Sequence, residues 1–244
     1  MPAASSVRRA VVLAGGKGTR LAPFTAILPK PLMPLGETPI LEVVLRQLAR
    51  DGITRVTLAV GHMAELIEAY FGDGGRFGVT LDYSREDEPL GTAGPLALVE
   101  GLYEPFLVMN GDVLCTLSYR EFLDAHEASG AAATIATFVR GNRVDFGVVI
   151  ADADDHVTGY EEKPASEYLV SMGVYAFTPA VLGDISPGER LDFPDLVVRL
   201  LARGAFVRSA PFSGYWLDIG RHDDFAQAQT EFEERRAEFL GDHT

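Results

Sequence analysis

Apolar residues run unbroken from Ala10 to Ala14, and the stretches Arg55–Val60, Val79–Tyr83 and Phe106–Met109 repeat that density. Short apolar runs of this kind predict strands covered on both faces. Between them the period changes. Ile40, Leu41, Val44, Leu45 and Leu48 recur at helical spacing, after Thr38-Pro39 and before Gly52. Thr38 is expected as the N-cap, Pro39 as the first helical residue and Gly52 as the stop. Ala64–Phe71 predicts a short helix closed by Gly72. Ser118 and Glu121 form a capping box for a helix reaching Ser129. Residues 84–95 predict a loop that leads into a helix through Leu102.

Strands alternating with helices at short intervals imply a mostly parallel central sheet flanked by helices, an α/β, Rossmann-like arrangement. The second half reads differently. Ala132–Phe138, Gly147–Ile150, Val157–Tyr160 and Val170–Phe177 are strand-like with shorter connections, and suggest a smaller mixed β portion. Phe193–Leu201 predicts a helix and Phe206–Ser209 a strand. Phe225, Phe232 and Phe239 lie seven apart on a charged C-terminal helix. No repeat, low-complexity segment or linker interrupts the chain. Residues 1–244 are therefore expected to form one domain, with residues 1–8 as a loose terminus.

Composition narrows the function. The chain has 244 residues, 47% hydrophobic and 23% charged, as in ordinary globular proteins. One cysteine, Cys115, leaves no disulfide framework, and the five histidines are not spaced for zinc. The start has no apolar signal segment and no run is long enough for a membrane helix, so a cytoplasmic location is expected. A net charge of −14 argues against nucleic acid or an anionic membrane as partner. Anionic ligands must then bind where cations are concentrated locally.

The stretch VVLAGGKGTRLAPFTAILPKPLMPL, residues 11–35, is such a place. A buried strand runs into Gly15, Gly16 and Gly18, then Arg20, and Lys30 lies between Pro29 and Pro31. Glycine lets backbone N–H groups approach an anion and the cations neutralise it. The spacing is not that of a P-loop, because Lys17 precedes Gly18. It is not a dinucleotide fingerprint either, because Leu21 stands where a third glycine belongs. A loop from 15 to 37 is long enough to be functional rather than a plain connection.

That string resembles the signature of the sugar-1-phosphate nucleotidyltransferases, or NDP-sugar pyrophosphorylases. LGTAGPL at 90–96, NGD at 110–112, EEKP at 161–164 and WLDIG at 216–220 match later motifs of that family in order. The resemblance covers roughly residues 8–225 and implies a Rossmann-like, GT-A-like core. It also implies a reaction: the phosphate of a sugar 1-phosphate attacks the α-phosphorus of an NTP and pyrophosphate leaves in line. Such chemistry asks mainly for positioning and charge neutralisation.

By that resemblance Arg20 and Lys30 would hold the triphosphate, in a cradle of Leu13, Ala14, Gly15, Gly16, Gly18 and Thr19. Asp112 and Asp218 would hold Mg²⁺, a cation suited to carboxylates and phosphate oxygens. Lys163 would grip the sugar phosphate. Glu162, Asn110, Gly147, Ser171 and Gly173 would meet the sugar. Leu90, Gly91 and Thr92 would form the base-binding turn.

The carboxylates before that turn bear on the base. Guanine presents two adjacent donors that a single carboxylate can accept, whereas uracil and thymine set one donor between two carbonyls. Glu86 and Glu88 therefore favour GTP, and EDEPLGTAGPL resembles guanylyltransferases acting on mannose 1-phosphate and related sugars. Uridylyl, thymidylyl or adenylyl transfer to a sugar or cyclitol 1-phosphate stays open, as does the sugar itself. A different class, a non-catalytic nucleotide-sugar-binding subunit, is weighed against the enzyme by the presence of Arg20, Lys30, Asp112, Lys163 and Asp218. The C-terminal β-helix domain of many family members is not expected in this chain. The oligomeric state is left open, homo-oligomers included.

Overall fold

The computed structural model describes residues 8–241. The loose terminus expected over residues 1–8 falls outside them except for Arg8, whose guanidinium pairs with Asp124.

In chain order the strands and helices are β1 (Arg9–Leu13), β2 (Pro34–Leu35), β3 (Thr38–Pro39), α1 (Ile40–Arg50), β4 (Arg55–Val60), α2 (Ala64–Phe71), β5 (Thr80–Arg85), β6 (Phe106–Asn110), β7 (Val113–Cys115) and α3 (Tyr119–Ser129). They continue as β8 (Ala133–Arg143), β9 (Gly147–Ala151), β10 (Val157–Glu162), β11 (Ala165–Phe177), α4 (Phe193–Ala202), β12 (Val207–Phe212), β13 (Trp216–Asp218), α5 (His222–Glu234) and α6 (Arg236–Leu240).

The central sheet has seven strands in the order β12-β8-β11-β6-β1-β4-β5. β6, β1, β4 and β5 are mutually parallel, β12 is parallel to β8, and β11 alone runs against both its neighbours. The sheet is thus mostly parallel, as the strand–helix alternation implies. The interior strand β1, between β6 and β4, needs to be apolar on both faces, and its Ala10, Val11 and Val12 are fully buried. On one face α1, α2 and α3 supply Leu41, Leu45, Ile67 and Leu123. On the other, residues 93–102 and α4 supply Leu96, Val99, Phe193, Leu196 and Leu200. A third cluster joins the long loop to the C-terminal helices through Leu21, Met33, Ile219, Phe232 and Phe239.

The strand order positions the site. The chain moves outward from β1 to β4 and β5, then returns to lay β6 on the other side of β1. The loops after β1 and β6 therefore lie side by side at the carboxyl ends of the strands. That crevice is where open α/β sheets bind ligands. The Gly111 N–H donates to the Leu13 carbonyl at 2.9 Å and locks the two loops together.

Several local expectations change. Thr38 does not cap α1: it pairs with Leu35 in the β2–β3 hairpin, and the Ile40 N–H donates instead to the Met33 carbonyl at 2.9 Å. Residues 94–98 form a 3₁₀ turn and not an α-helix to Leu102. Leu96, Val99 and Leu102 are all buried, and their spacing of three suits a tight turn followed by extended chain, not a 3.6-residue stripe. Ser118 does cap α3, accepting the Glu121 N–H at 3.3 Å. The C-terminal aromatic stripe spans two helices, broken at Arg235, and Phe232 stacks on Phe239 with ring centroids 5.9 Å apart.

The inner halves of β8 and β11 belong to the central sheet. The smaller β portion consists of their outer halves, paired from Val139 with Leu169 to Arg143 with Ala165, and of the β9–β10 ribbon. Cys115 is a buried free thiol in the core, as expected, and contacts Tyr119 Oη. No helix among the described residues is long and apolar enough to cross a membrane.

Candidate active site

Two clefts open at the carboxyl ends of the strands. The larger, about 740 Å³, has the glycine loop as one wall and the Glu86–Thr92 loop as another. Leu13, Ala14, Gly15, Gly16, Gly18, Arg20 and Lys30 line it from the first loop. Glu86, Glu88, Gly91 and Thr92 line it from the second, and Asn110 and Asp112 from β6 and its following turn. The smaller, about 510 Å³, lies on the far side of Arg20 and holds Asp218. Arg20 borders both.

Lys30 is only 9% exposed, unusual for a lysine, and its ammonium pairs with Asp112 Oδ2. A buried cation without a partner would be strongly disfavoured, and the carboxylate of Asp112 offsets that cost. The other oxygen of that carboxylate, Asp112 Oδ1, is buried and has no partner. A native structure rarely leaves such an atom unsatisfied, so it marks a place for a donor or a cation.

Asp218 reaches the same spot from another element. β13 runs antiparallel to β7, which starts right after Asp112, and this sets Asp218 opposite Val113. The Ile219 N–H donates to the Asp112 carbonyl at 3.2 Å. Asp218 keeps an open surface, yet it sits within a cleft. Burial there raises its carboxyl pKa above the ordinary value; the like charge of Asp112 adds to the rise, and Lys30 and Arg20 partly offset it. Two carboxylates whose charges oppose each other, one with a free oxygen, are a donor set that fits a hard divalent cation.

Along the second wall, Glu86 Oε2 accepts the Leu90 N–H at 3.0 Å. Its other oxygen presses against the glycine loop: a Cβ added to Gly15 would lie 2.8 Å from Glu86 Oε1 and 3.0 Å from the Gly61 nitrogen. Gly15 is thus needed for close approach, and Glu86 joins the two walls. Thr92 is engaged as well. Its N–H and hydroxyl donate to Asp192 Oδ1 at 2.9 and 3.2 Å, and its hydroxyl accepts the Phe193 N–H at 2.9 Å. Gly91 has φ +79° and packs against the Leu191 carbonyl, a conformation and a closeness that admit no side chain. Leu90 lies behind this loop, where its carbonyl accepts the Leu191 N–H at 2.9 Å.

Of the expected sugar contacts, Asn110 lines the larger cleft and the others lie apart from both linings. Thr19, Leu90, Gly147, Glu162, Lys163, Ser171 and Gly173 line neither cleft. Gly147 and Glu162 face each other across β9 and β10, and Tyr160 Oη donates to Glu162 Oε2 at 3.2 Å. Lys163 stands exposed in the next turn with φ +47°. Gly173 is buried against Asn110: a Cβ there would meet Asn110 Nδ2 at 2.7 Å. Ser171 Oγ donates to Tyr175 Oη at 2.9 Å.

Other residues reach the clefts without having been singled out. His62 lines the larger one and its N–H donates to the Gly15 carbonyl at 3.1 Å. It follows the carboxyl end of β4 by two residues, a position that could have drawn attention to it. Arg140, Trp216 and Arg221 line the smaller cleft. Asp152, Asp154 and His156 gather at the β9–β10 turn, but Asp152 Oδ1 already accepts the N–H groups of Asp154 and His156 at 2.9 and 3.0 Å. This group anchors a turn.

A family model described as nucleotidyl transferase matches residues 9–235. A UTP–glucose-1-phosphate uridylyltransferase of Synechocystis sp. is 35% identical over 240 residues, covering 90% of this chain and 62% of that protein. A mannose-1-phosphate guanylyltransferase catalytic subunit beta of Drosophila pseudoobscura pseudoobscura is 36% identical over 229 residues, covering 89% and 60%. The chain thus spans about three-fifths of the length of the curated relatives it matches. Among solved structures, HddC from Yersinia pseudotuberculosis superposes with a TM-score of 0.71 at 26% identity, over 92% of this chain and 99% of that one. A second structure of HddC is described as complexed with GMP-PN.

Proposed function

From the premise that this chain belongs to the nucleotidyl transferase family, we propose that it transfers a nucleotidyl group from an NTP to a sugar 1-phosphate and releases pyrophosphate. The observation that carries the reading is the group at the floor of the glycine-lined cleft. There Lys30 pairs with Asp112, Asp112 Oδ1 is buried without a partner, and Asp218 stands against them from β13.

The residues divide the work. Backbone N–H groups of the glycine loop and the guanidinium of Arg20 hold the triphosphate. Lys30 follows negative charge as it moves onto the leaving pyrophosphate. Asp112 and Asp218 would hold Mg²⁺, which when bound supplies charge neutralisation between the two anionic reactants and polarisation of the α-phosphoryl group. Lys163, on its exposed turn, is assigned to the sugar phosphate, and Glu162 and the Gly147 backbone to the sugar.

The nucleotide is proposed to be GTP. Glu86, Asp87 and Glu88 crowd the base end of the cleft, and acceptor-only groups suit the donors of guanine. Because Glu86 already serves Leu90, Glu88 is the freer reader. A cytoplasmic setting is proposed as well, in keeping with one buried, unpaired cysteine.

The test is a matrix of NTPs against sugar 1-phosphates with Mg²⁺, read as pyrophosphate release. GTP with a manno-configured sugar 1-phosphate is expected to give the highest kcat/KM. Absence of pyrophosphate across the whole matrix, from protein with an intact fold, refutes the proposal.

A further inference from the structure

Gln47 is a polar residue where the pattern of α1 calls for an apolar one. It follows Val44 by three positions on the buried side of the helix and is 2% exposed. An apolar side chain there would fill the space without the cost of taking an amide out of water. The amide instead has specific partners. Its Nε2–H donates to the Cys115 backbone carbonyl at 3.0 Å, and its Oε1 accepts from Tyr119 Oη at 3.4 Å. Gln47 lines neither cleft, and the proposed reaction has not used it.

The amide holds the strand that follows Asp112. Among the described residues β7 has one strand partner, β13. The Asp112 carbonyl accepts the Ile219 N–H at 3.2 Å, and the Thr116 N–H donates to the Tyr215 carbonyl at 3.0 Å. The backbone of residues 112 and 116 thus faces β13. Successive residues of an antiparallel strand alternate, so Cys115 turns its carbonyl the other way, toward α1. There the Gln47 amide stands in for a neighbouring strand. Cys115 is opposite Trp216, and Val113 is opposite Asp218. β7 and β13 therefore form a ribbon with both carboxylates at one end and a tie to α1 at the other. The same helix carries the Lys30 turn. Its first N–H, of Ile40, donates to the Met33 carbonyl at 2.9 Å, and the Met33 N–H donates to the Lys30 carbonyl at 3.0 Å. From Ile40 to Gln47 the helix rises about 10 Å, and this fixed length spaces the turn from the ribbon.

We propose that Gln47 is a positioning residue: by holding the Cys115 carbonyl it fixes the β7–β13 ribbon on α1 and sets Asp112 and Asp218 against Lys30, the role of the two aspartates as Mg²⁺ ligands resting on the reading above. The hold on the ribbon is independent of any metal. Nearby links act elsewhere. The Gly111 N–H on the Leu13 carbonyl fixes the turn before Asp112, and the Asp51 carboxylate accepts the Tyr119 and Arg120 N–H groups and so fixes α3. Neither sets where β7 lies against α1. Groups that orient metal ligands from behind are typically worth 10- to 100-fold in metal affinity.

The test compares two variants of the full chain. Gln47→Met removes the amide and keeps the bulk. Val44→Ala, on the same side of α1, removes packing and keeps the amide. The first measurement needs no metal: hydrogen exchange of the Ile219 amide, which bonds to the Asp112 carbonyl. Exchange about tenfold faster in Gln47→Met than in Val44→Ala is expected. The second is a Mn²⁺ titration followed by the emission of Trp216, the chain's one tryptophan, two residues from Asp218. Its midpoint should rise about tenfold in Gln47→Met and stay near wild type in Val44→Ala, although both variants melt at lower temperature. Should Gln47→Met not fold, Gln47→Asn, one methylene shorter, is read in its place. Equal Ile219 exchange in the Gln47 and Val44 variants overturns the proposal. A wild-type Mn²⁺ midpoint in the Gln47 variant overturns it too, where Asp112→Asn abolishes the response. A response that survives Asp112→Asn refutes the metal site instead, and Ile219 exchange alone then decides on Gln47.

Discussion

Lys30 and Asp112 show how one residue's setting determines what it can do. A lysine between two prolines is held in a tight turn and buried, and Asp112 pairs with it there. In the free protein that pairing leaves Asp112 Oδ1 without a partner, which suits later use by a cation. Asp112→Asn and Asp218→Asn are expected to lower kcat about 10²-fold or more while thermal melting shows the fold intact. Near-wild-type turnover in either variant removes the metal site from the account. Glu88→Gln is expected to lower kcat/KM for GTP about tenfold relative to UTP, since an amide no longer accepts both guanine donors. Glu86→Gln should do less, because an amide oxygen still accepts the Leu90 N–H. An unchanged GTP/UTP ratio in both variants refutes the base assignment. Most of these residues were legible in the sequence because they sit in dense local strings. Arg140 was not: it lies on the outer half of β8, with no neighbouring pattern, and only the fold brings it beside Trp216 and Arg221.

At the scale of elements, the loop proposed to bind the base is held by the start of α4. Asp192 does not cap its own helix; its carboxylate holds Thr92, and the Thr92 hydroxyl caps α4 by accepting the Phe193 N–H. Asp192→Ala should therefore raise the KM for the NTP about tenfold and leave that for the sugar 1-phosphate unchanged, while Thr92→Ser stays near wild type. Equal rises in both KM values would indicate general loosening. The segment before α4 is pinned in turn by Arg199 on Glu189. The Arg199 hydrogen bond, helped by the Ser186 N–H, lowers the Glu189 pKa from 4.5 to about 2. A depressed carboxylate pKa adds stability above the unfolded value and loses it as pH falls through the folded one. The melting-temperature advantage of wild type over Arg199→Gln should thus be full above pH 4.5 and shrink progressively toward about 2. An advantage that stays constant through that window contradicts this. Strands and long helices were readable here because period and burial agree. The N-terminus of α1 and residues 94–98 were not, because a distant carbonyl, of Met33, and a packing spacing of three replaced the local signals of Thr38 and the loop.

For the whole molecule, topology and charge point to the same place. Returning β6 to the far side of β1 sets the glycine loop beside Asp112, and pairing β13 with β7 adds Asp218. Neither long-range pairing is written in any local stretch, which is why the motifs named the residues but not their division between two clefts. The net charge of −14 makes the clefts selective by contrast, since Arg20, Lys30, Arg140 and Arg221 gather there. The central claim is that bond cleavage occurs at the α-phosphorus and joins it to a sugar phosphate. The direct measurement supplies Mg²⁺, mannose 1-phosphate and GTP labelled at the α-phosphorus, and follows the label. The account predicts that label enters a sugar nucleotide one for one with pyrophosphate released. Label that remains in GTP, or passes to GDP or GMP without a sugar product, would contradict it.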